Sequence, residues 1–540
     1  MRKALVWLRL KLLQHWSDLL FVSLSLAIFV WVAEDAFTTR VVTVSQGTDY
    51  WEHSATLRAL LDSPWHPKNP HLVSDVPSPR FVPTFIVSAL LARAFQLDAL
   101  GGMGIASALN MLLLFGGIWW FFRRYFGDAR ASLYGLIVMF GSWYQGWHFS
   151  NVYQLRVFFS VVSYPSTAAL GLSLLGFATT LGALRSAARE RWLPATTLIW
   201  ALVAITHPLT AVLGFVGAFL LALGFAGVSW RRRLEVAAAI FLGGLLAFAW
   251  PYFSLRGTLR SGSHDEVSAI ADGLSGRGGF EPVGRLHQFY RQSGLLQALG
   301  VALAGIPICL YLLVRRQHWF ISLGALAMLV PFVVNAYVPL PLGHRFILLA
   351  IFFLQTAVIW LLMKLTRGAP EAWSLLTAGR RGWVSGSVVA LLLGAMAYWN
   401  VDTAYQDVAY RQRKLRDGQS VNVRYARRVA EIAGEHAVVL ADAVTSWPVP
   451  TFGPKVLLLW HPNPLVPDEG ARNADVRRFL NGSTPDEARL AILRKYGVTH
   501  VLGNRRTLPR ISGFLAGRAT RRSLPGGYSL YTLAQEQEPK

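Results

Sequence analysis

Cysteine is almost absent: Cys309 is the one thiol in 540 residues. No intramolecular disulfide can form, and a four-cysteine zinc site is excluded. Charge is scarce as well. Charged residues make up 15% of the chain, against about 25% in an ordinary soluble domain, which excludes a soluble enzyme of usual composition. Disorder is excluded from the other side, because 53% of the residues are apolar. The net charge of +23 does not point to nucleic acid. Most basic residues ahead of the C-terminal region flank apolar runs, where membrane topology accounts for them. A cleavable signal peptide is not evident. Arg2, Lys3, Arg9 and Lys11 precede an apolar run from Leu19 to Ala33 that no small-residue pattern ends. The run reads as a retained first span with a cytoplasmic N-terminus.

What is present is a series of apolar runs. A membrane span takes roughly 20 residues. Eleven are expected, near 19–36, 102–122, 131–149, 164–184, 193–207, 208–228, 234–254, 296–314, 318–337, 346–363 and 383–400. Proline breaks helices, so His207-Pro208 separates the fifth from the sixth. The short loops with Arg123-Arg124-Arg130, Arg185-Arg189-Arg191, Arg231-Arg232-Arg233, Arg315-Arg316 and Lys364-Arg367-Arg380-Arg381 then all face the cytoplasm. The other side receives loops 37–101 and 255–295 and the tail 401–540. Phe81 to Leu97 is apolar but contains Arg93. Counting it as a span would reverse every later loop, so it is read as a helix in the outer interface.

The fold class expected is thus a polytopic α-helical membrane protein of about 11 transmembrane helices. Its membrane domain covers 1–400, and a soluble α/β domain covers 401–540. In the tail, Ala437 to Ala441 reads as a strand. Thr484 is expected to cap a helix, with Pro485 at its first position and Glu487 closing a capping box. Gly497 ends that helix, and Val498 to Leu502 is the next strand. Gly526-Gly527 is a turn before a last strand, Tyr528 to Leu533. No Gly-rich phosphate loop, Ser/His/Asp motif or metal spacing is visible in the tail.

Loop 37–101 carries the chemistry. Thr48 is read as the N-cap of a helix of about 13 residues. Spacing places Asp49, Glu52, His53 and Thr56 on one face, and Tyr50, Leu57 and Leu61 on another. Such a helix can rest on the bilayer and present Asp49, Glu52 and His53 to a cavity. A carboxylate there can act as general base on an acceptor hydroxyl. Glu52 or His53 can orient it, or bind a divalent cation such as Mg2+ or Mn2+ together with it. The same residues on a plain interfacial helix would merely face water, and spacing leaves both readings open. A second acidic pair, Glu34-Asp35, closes the first span and reads as its boundary.

The order of elements is more specific. A basic N-terminus and one span lead to the Asp49-Tyr50-Trp51-Glu52-His53 loop helix. A proline-rich stretch (Pro64, Pro67, Pro70, Pro77, Pro79, Pro83) follows, then an interfacial helix, then a span ending in Arg123-Arg124-Tyr125-Phe126-Gly127. The tail holds Ala491-Ile492-Leu493-Arg494-Lys495-Tyr496-Gly497-Val498-Thr499-His500-Val501. This arrangement resembles the GT-C superfamily of membrane glycosyltransferases, in particular the lipid A aminoarabinose transferases and protein O-mannosyltransferases, over nearly the whole chain. The resemblance implies a polyprenyl-phosphate-linked sugar as donor and a catalytic base at Asp49. The Asp-Glu or Asp-x-Asp pair common in that superfamily is absent here, which leaves metal dependence open.

A lipid-phosphate donor needs cations at the outer face, and arginine suits them through bidentate contacts. Gly343-His344-Arg345 precedes the tenth span, and the resemblance gives Arg345 the donor phosphate by its place, with His344 beside it. An interfacial arginine snorkelling to headgroups would look the same. Loop 255–295 holds Arg256, Arg260, Arg277, Arg285, His287 and Arg291 among glycines, as loops that close over ligands do. Its arginines equally suit a solvated loop. Trp147 and His148, near Trp143 and Tyr144, are candidates for sugar or acceptor contact, or members of an interfacial belt. His207 is either a cavity-facing group or a helix cap.

The function expected is an inner-membrane glycosyltransferase, if the host is bacterial, acting on the extracytoplasmic face with inversion. The acceptor is a glycan, lipid or protein hydroxyl, and membrane lipids are the other partners. No nucleic acid is expected, and no motif names a protein partner. Three rivals stay open. A ligase or polymerase would take a whole glycan from a lipid diphosphate. A transporter or flippase would show internal repeats and ionisable groups within spans, which are not evident. An inert GT-C-like scaffold would keep the architecture without the chemistry.

Overall fold

The computed structural model describes residues 2–39, 48–143, 150–261, 299–335, 340, 343–366, 387–396, 398, 400, 406, 409, 410, 413, 420–461, 463 and 465–534. The chain divides into two compact units. One comprises Met1–Ala33, Ala108–Ala249 and Ile270–Ala409; the other comprises Glu34–Ser107, Trp250–Ala269 and Tyr410–Lys540.

The described part of the first unit is helical. Among the described residues of the chain, four helices are long and apolar enough to cross a membrane: His15–Thr38, Ala99–Phe126, Pro165–Arg185 and Phe346–Leu365. There are five if Gly300–Val314 and Trp319–Val334, bent by 119°, count as one span. Arg130–Gly141, Pro208–Gly224 and Ser387–Met396 are apolar but shorter. Arg189–Thr206 and Trp230–Leu246 open on arginine clusters, which shortens their apolar length. The described helices therefore do not reach the expected eleven spans by length and composition.

Small residues and aromatic rings set the packing. A Cβ placed on Gly171 would lie 2.7 Å from the Leu113 backbone carbon, and one on Gly117 would lie 2.7 Å from the Gly171 carbonyl oxygen. Only glycine lets these two backbones approach so closely, the usual device where lipid supplies no hydrophobic drive between helices. Phe177 lies 5.2 Å from both Phe121 and Phe320, tilted against the first and edge-on to the second, the latter a geometry aromatic rings prefer.

The second unit contains a five-stranded sheet. Its strands are β1 (Val438–Leu440), β2 (Lys455–Val456), β3 (His500–Gly503), β4 (Ala519–Leu524) and β5 (Tyr528–Leu533), in the order β2-β1-β3-β5-β4. β1 runs parallel to β2 and β3, whereas β5 is antiparallel to β3 and β4. Period-two alternation feeds a core on each face. Val438, Leu440, Val501 and Tyr531 join one with Phe479 and Phe514. Val439, Ala441, Leu502 and Leu530 join the other with Tyr425 and Val429. The turn before β5 places Gly526 and Gly527 at φ near +80°, where glycine carries no Cβ penalty. The expected capping box is replaced. The helix begins at Asp486, Pro485 takes the cap position, and the Thr484 hydroxyl donates instead to the Arg478 carbonyl at 2.6 Å.

The helices Tyr50–Asp62 and Pro83–Ala94 belong to this same unit. At 12 residues, Pro83–Ala94 is about 18 Å long, too short to cross the roughly 30 Å hydrocarbon core. Tyr50–Asp62 has the expected 13 residues, but it does not lie on a surface. Every residue from Tyr50 to Leu57 is buried, because Pro83–Ala94 packs on one side and the short turn Val449–Phe452 on another.

Candidate active site

Asp49 occupies the cap position of the Tyr50–Asp62 helix, in place of the expected Thr48. Its carboxylate does not cap the helix. Instead Oδ1 lies 2.8 Å from Nε2 of His461, on the segment after β2. Both side chains stay partly open, at 45% and 35% exposure, so a ligand can reach the pair. Burial, the largest influence on Asp49, favours the neutral acid. The His461 contact and the charges of His461, His53 and Arg80 outweigh it and hold the carboxyl well below the usual carboxylate range. For His461, burial again opposes charge, and Asp49 reverses it with help from Glu52, so its pKa is raised.

The surroundings fix this pair. The Trp447 indole N–H donates to the Thr48 carbonyl at 2.9 Å, across 399 positions of sequence. The hydroxyls of Ser54 and Thr451 lie 2.7 Å apart, locking the loop helix to the Val449–Phe452 turn. His71 stacks on Trp447 with ring centroids 5.0 Å apart. Burial first, then the charges of Lys455, Arg80 and His461, push His71 down to about 3, so it is neutral. Lys455 donates to the Asn69 and Pro70 carbonyls at 2.8 and 3.2 Å. Burial chiefly brings it down to about 8.

Glu52 takes a different role from the one spacing suggested. Its Oε1 accepts from Arg80 Nε at 2.8 Å, while its buried Oε2 has no hydrogen-bond partner among the described residues. His53 is buried edge-on to Phe85, at 5.3 Å. With Asp49 turned to His461 and Glu52 to Arg80, the three residues do not form the cation cage considered above. Among the described residues no three His, Cys, Asp or Glu side chains gather as metal ligands.

The remaining candidates are spread over the chain. Arg345 belongs to the other unit, in the turn Gly343–Arg345 that opens the Phe346–Leu365 helix. Its Nε is buried without a hydrogen-bond partner among the described residues. Arg256 is exposed on the Leu255–Ser261 helix. The side chains of Arg260 and His344, and the whole of Trp147, His148, Arg277, Arg285, His287 and Arg291, lie outside the described residues. His207 serves as the N-cap of Pro208–Gly224: its ring accepts from the Thr210 backbone N–H at 3.2 Å. Asp35 of the second acidic pair is buried. Sequence reasoning missed Arg80, His71, Trp447, Lys455 and His461. The one local signal was Trp460-His461, an aromatic-basic pair next to an apolar strand.

No family model and no curated protein sequence matches the chain. Solved structures do. The apo oligosaccharyltransferase of Archaeoglobus fulgidus matches with a TM-score of 0.58 at 13% identity, over 97% of this chain and 75% of its own. ArnT from Cupriavidus metallidurans in the apo state matches at 0.54 and 16%, over 96% and 99%. The same ArnT bound to undecaprenyl phosphate matches at 0.54 and 15%, over 97% and 100%. The chain therefore shares the fold of these solved structures.

Proposed function

We propose that the chain is an integral-membrane glycosyltransferase that moves a sugar from a polyprenyl-phosphate donor to an acceptor hydroxyl. The observation that carries this is Asp49, partly open and held ionised by His461 at the head of the first loop helix. The fold shared with ArnT, one structure of which holds undecaprenyl phosphate, supports the donor class. The acceptor oxygen attacks the anomeric carbon while the bond to the phosphate oxygen breaks, its electron pair leaving with the phosphate. The acceptor proton passes to Asp49. A carboxylate of lowered pKa is a weak base, which suits proton transfer late in the step, once bond formation has made the acceptor oxygen acidic. His461 keeps Asp49 aimed and charged. Arg345 balances the charge building on the leaving phosphate, with His344, Arg256 and Arg260 in support. Attack from the face opposite the phosphate inverts the anomeric centre.

The topology belongs to the same proposal: eleven spans over 1–400, a cytoplasmic N-terminus, and an extracytoplasmic domain over 401–540. A second reading has one observation in its favour, the match to an oligosaccharyltransferase: transfer of a whole glycan from a lipid diphosphate. The test is to give the purified protein matched donors, one a labelled monosaccharide on polyprenyl phosphate and one a glycan on polyprenyl diphosphate. Transfer to a hydroxyl acceptor from the monophosphate alone is expected. Transfer from the diphosphate alone would install the second reading.

A further inference from the structure

A groove of about 530 Å3 runs along the first unit between Arg189–Thr206 and Trp230–Leu246. Leu193, Thr197 and Leu198 line one side, and Ala238, Leu242 and Leu246 the other. Small residues bring the helices together at its floor. A Cβ on Gly243 would lie 2.5 Å from the Thr197 carbonyl oxygen, and the Thr197 hydroxyl donates to the Ala239 carbonyl at 3.0 Å. From Ala238 to Leu246 the groove extends about 12 Å, most of one leaflet's hydrocarbon depth.

Its mouth is strongly basic. Both helices begin there, with Arg191 and Arg231 exposed within two turns of the groove. Arg232 is bound to the Ala183 carbonyl at 2.9 Å and to the Ser186 carbonyl, so the end of Pro165–Arg185 is drawn to the same place. Arg124 lies 4.4 Å over the Trp192 ring, and Arg185 donates to the Arg124 carbonyl. Against these cations stand Glu190 and Glu235, the latter 3.2 Å from Arg231. Trp192 and the exposed Trp230 stand at the starts of the two helices, beside the arginines, the company tryptophans keep in a headgroup region.

We propose that this groove is a binding site for a phospholipid with a net-negative headgroup. One acyl chain lies between the two helices, and the phosphate sits at the mouth by Arg191 and Arg231. Charge complementarity selects this occupant. A zwitterionic lipid fills the apolar groove equally well but gains nothing from the excess of arginines, whereas an anionic headgroup gains with each one near it.

The test uses the full-length protein in detergent, titrated with palmitoyl-oleoyl phosphatidylglycerol or phosphatidylcholine and weighed intact by native mass spectrometry. Phosphatidylglycerol should be retained at least about fivefold better, the effect of one arginine at a surface. Arg191→Gln with Arg231→Gln should abolish that preference while leaving phosphatidylcholine binding unchanged. Ala238→Trp, which fills the groove, should reduce retention of both lipids. A monodisperse elution and an unchanged helical circular-dichroism spectrum verify that each variant is folded. Equal retention of the two lipids by the parent protein overturns the proposal. So does undiminished phosphatidylglycerol binding in Ala238→Trp, including the case where that variant instead loses a dimer, which would make a second copy the occupant.

Discussion

Asp49 and His461 hold opposite charges because each offsets the desolvation of the other, and this makes their contact dependent on pH. Asp49 has a depressed pKa, so its share of the stabilisation is complete above its ordinary 3.8 and lost as pH falls through the lower folded value. His461 has a raised pKa, so its share is complete below 6.5 and lost as pH rises through the higher folded value. The tether is therefore whole between about pH 4 and 6.5. Melting temperatures of the parent protein and His461→Gln, measured across pH, should differ most in that window and converge above and below it. A difference independent of pH would show that the pair contributes by packing alone. At this scale the sequence offered one member of the proposed pair. Asp49 stood out by its place at the head of the first outer-loop helix and by the resemblance that this order of elements carries. His461 and Trp447 were not singled out, because the pair Trp460-His461 is a weak local signal and a partner some 400 positions away leaves no mark on the local pattern.

Elements were legible where local physics decides them and misread where neighbours do. The Tyr50–Asp62 helix has the expected length, and β5 has the expected ends. The surface-lying helix and the capping box were not found. The first reading left the helix's polar face to water or a cavity and the second assumed a local cap, whereas Ser54 bonds Thr451, Glu52 accepts from Arg80, and Thr484 reaches back to Arg478. Glycine inside a span was also silent in sequence. Gly171→Leu would push a side chain into the backbone at Leu113 and Leu114, where no rotamer change relieves it. A loss of about 1–3 kcal/mol or more, the cost of core overpacking, should appear as a lowered melting temperature in detergent. Gly116→Leu, where nothing lies within 4 Å of the new Cβ, should melt close to the parent protein and serves as the control.

For the whole molecule, hydropathy gave the class and the positive-inside pattern gave a topology, but composition could not foresee the grouping of residues. Loop 37–101 and the tail read as separate segments; Glu34–Ser107 and Tyr410–Lys540 fold as parts of one unit. The proposed topology can be checked because the natural thiol is buried. In a Cys309→Ser background, a cysteine replacing the exposed Ser512 should react with an impermeant maleimide on intact spheroplasts. One replacing the exposed Ala187, close to Arg185, should react only after lysis. The opposite pattern would invert the protein in the membrane.

The central claim is that Asp49 takes the acceptor proton in transfer from a polyprenyl-phosphate sugar. The most direct measurement is the single-turnover rate of Asp49→Asn beside the parent protein, at saturating donor and with donor binding measured in both. The amide keeps the shape and removes the base. The account predicts intact donor binding and a rate lower by about 10²–10⁴-fold, the usual contribution of a general base. A rate within a few-fold of the parent protein, with donor bound equally, would contradict it.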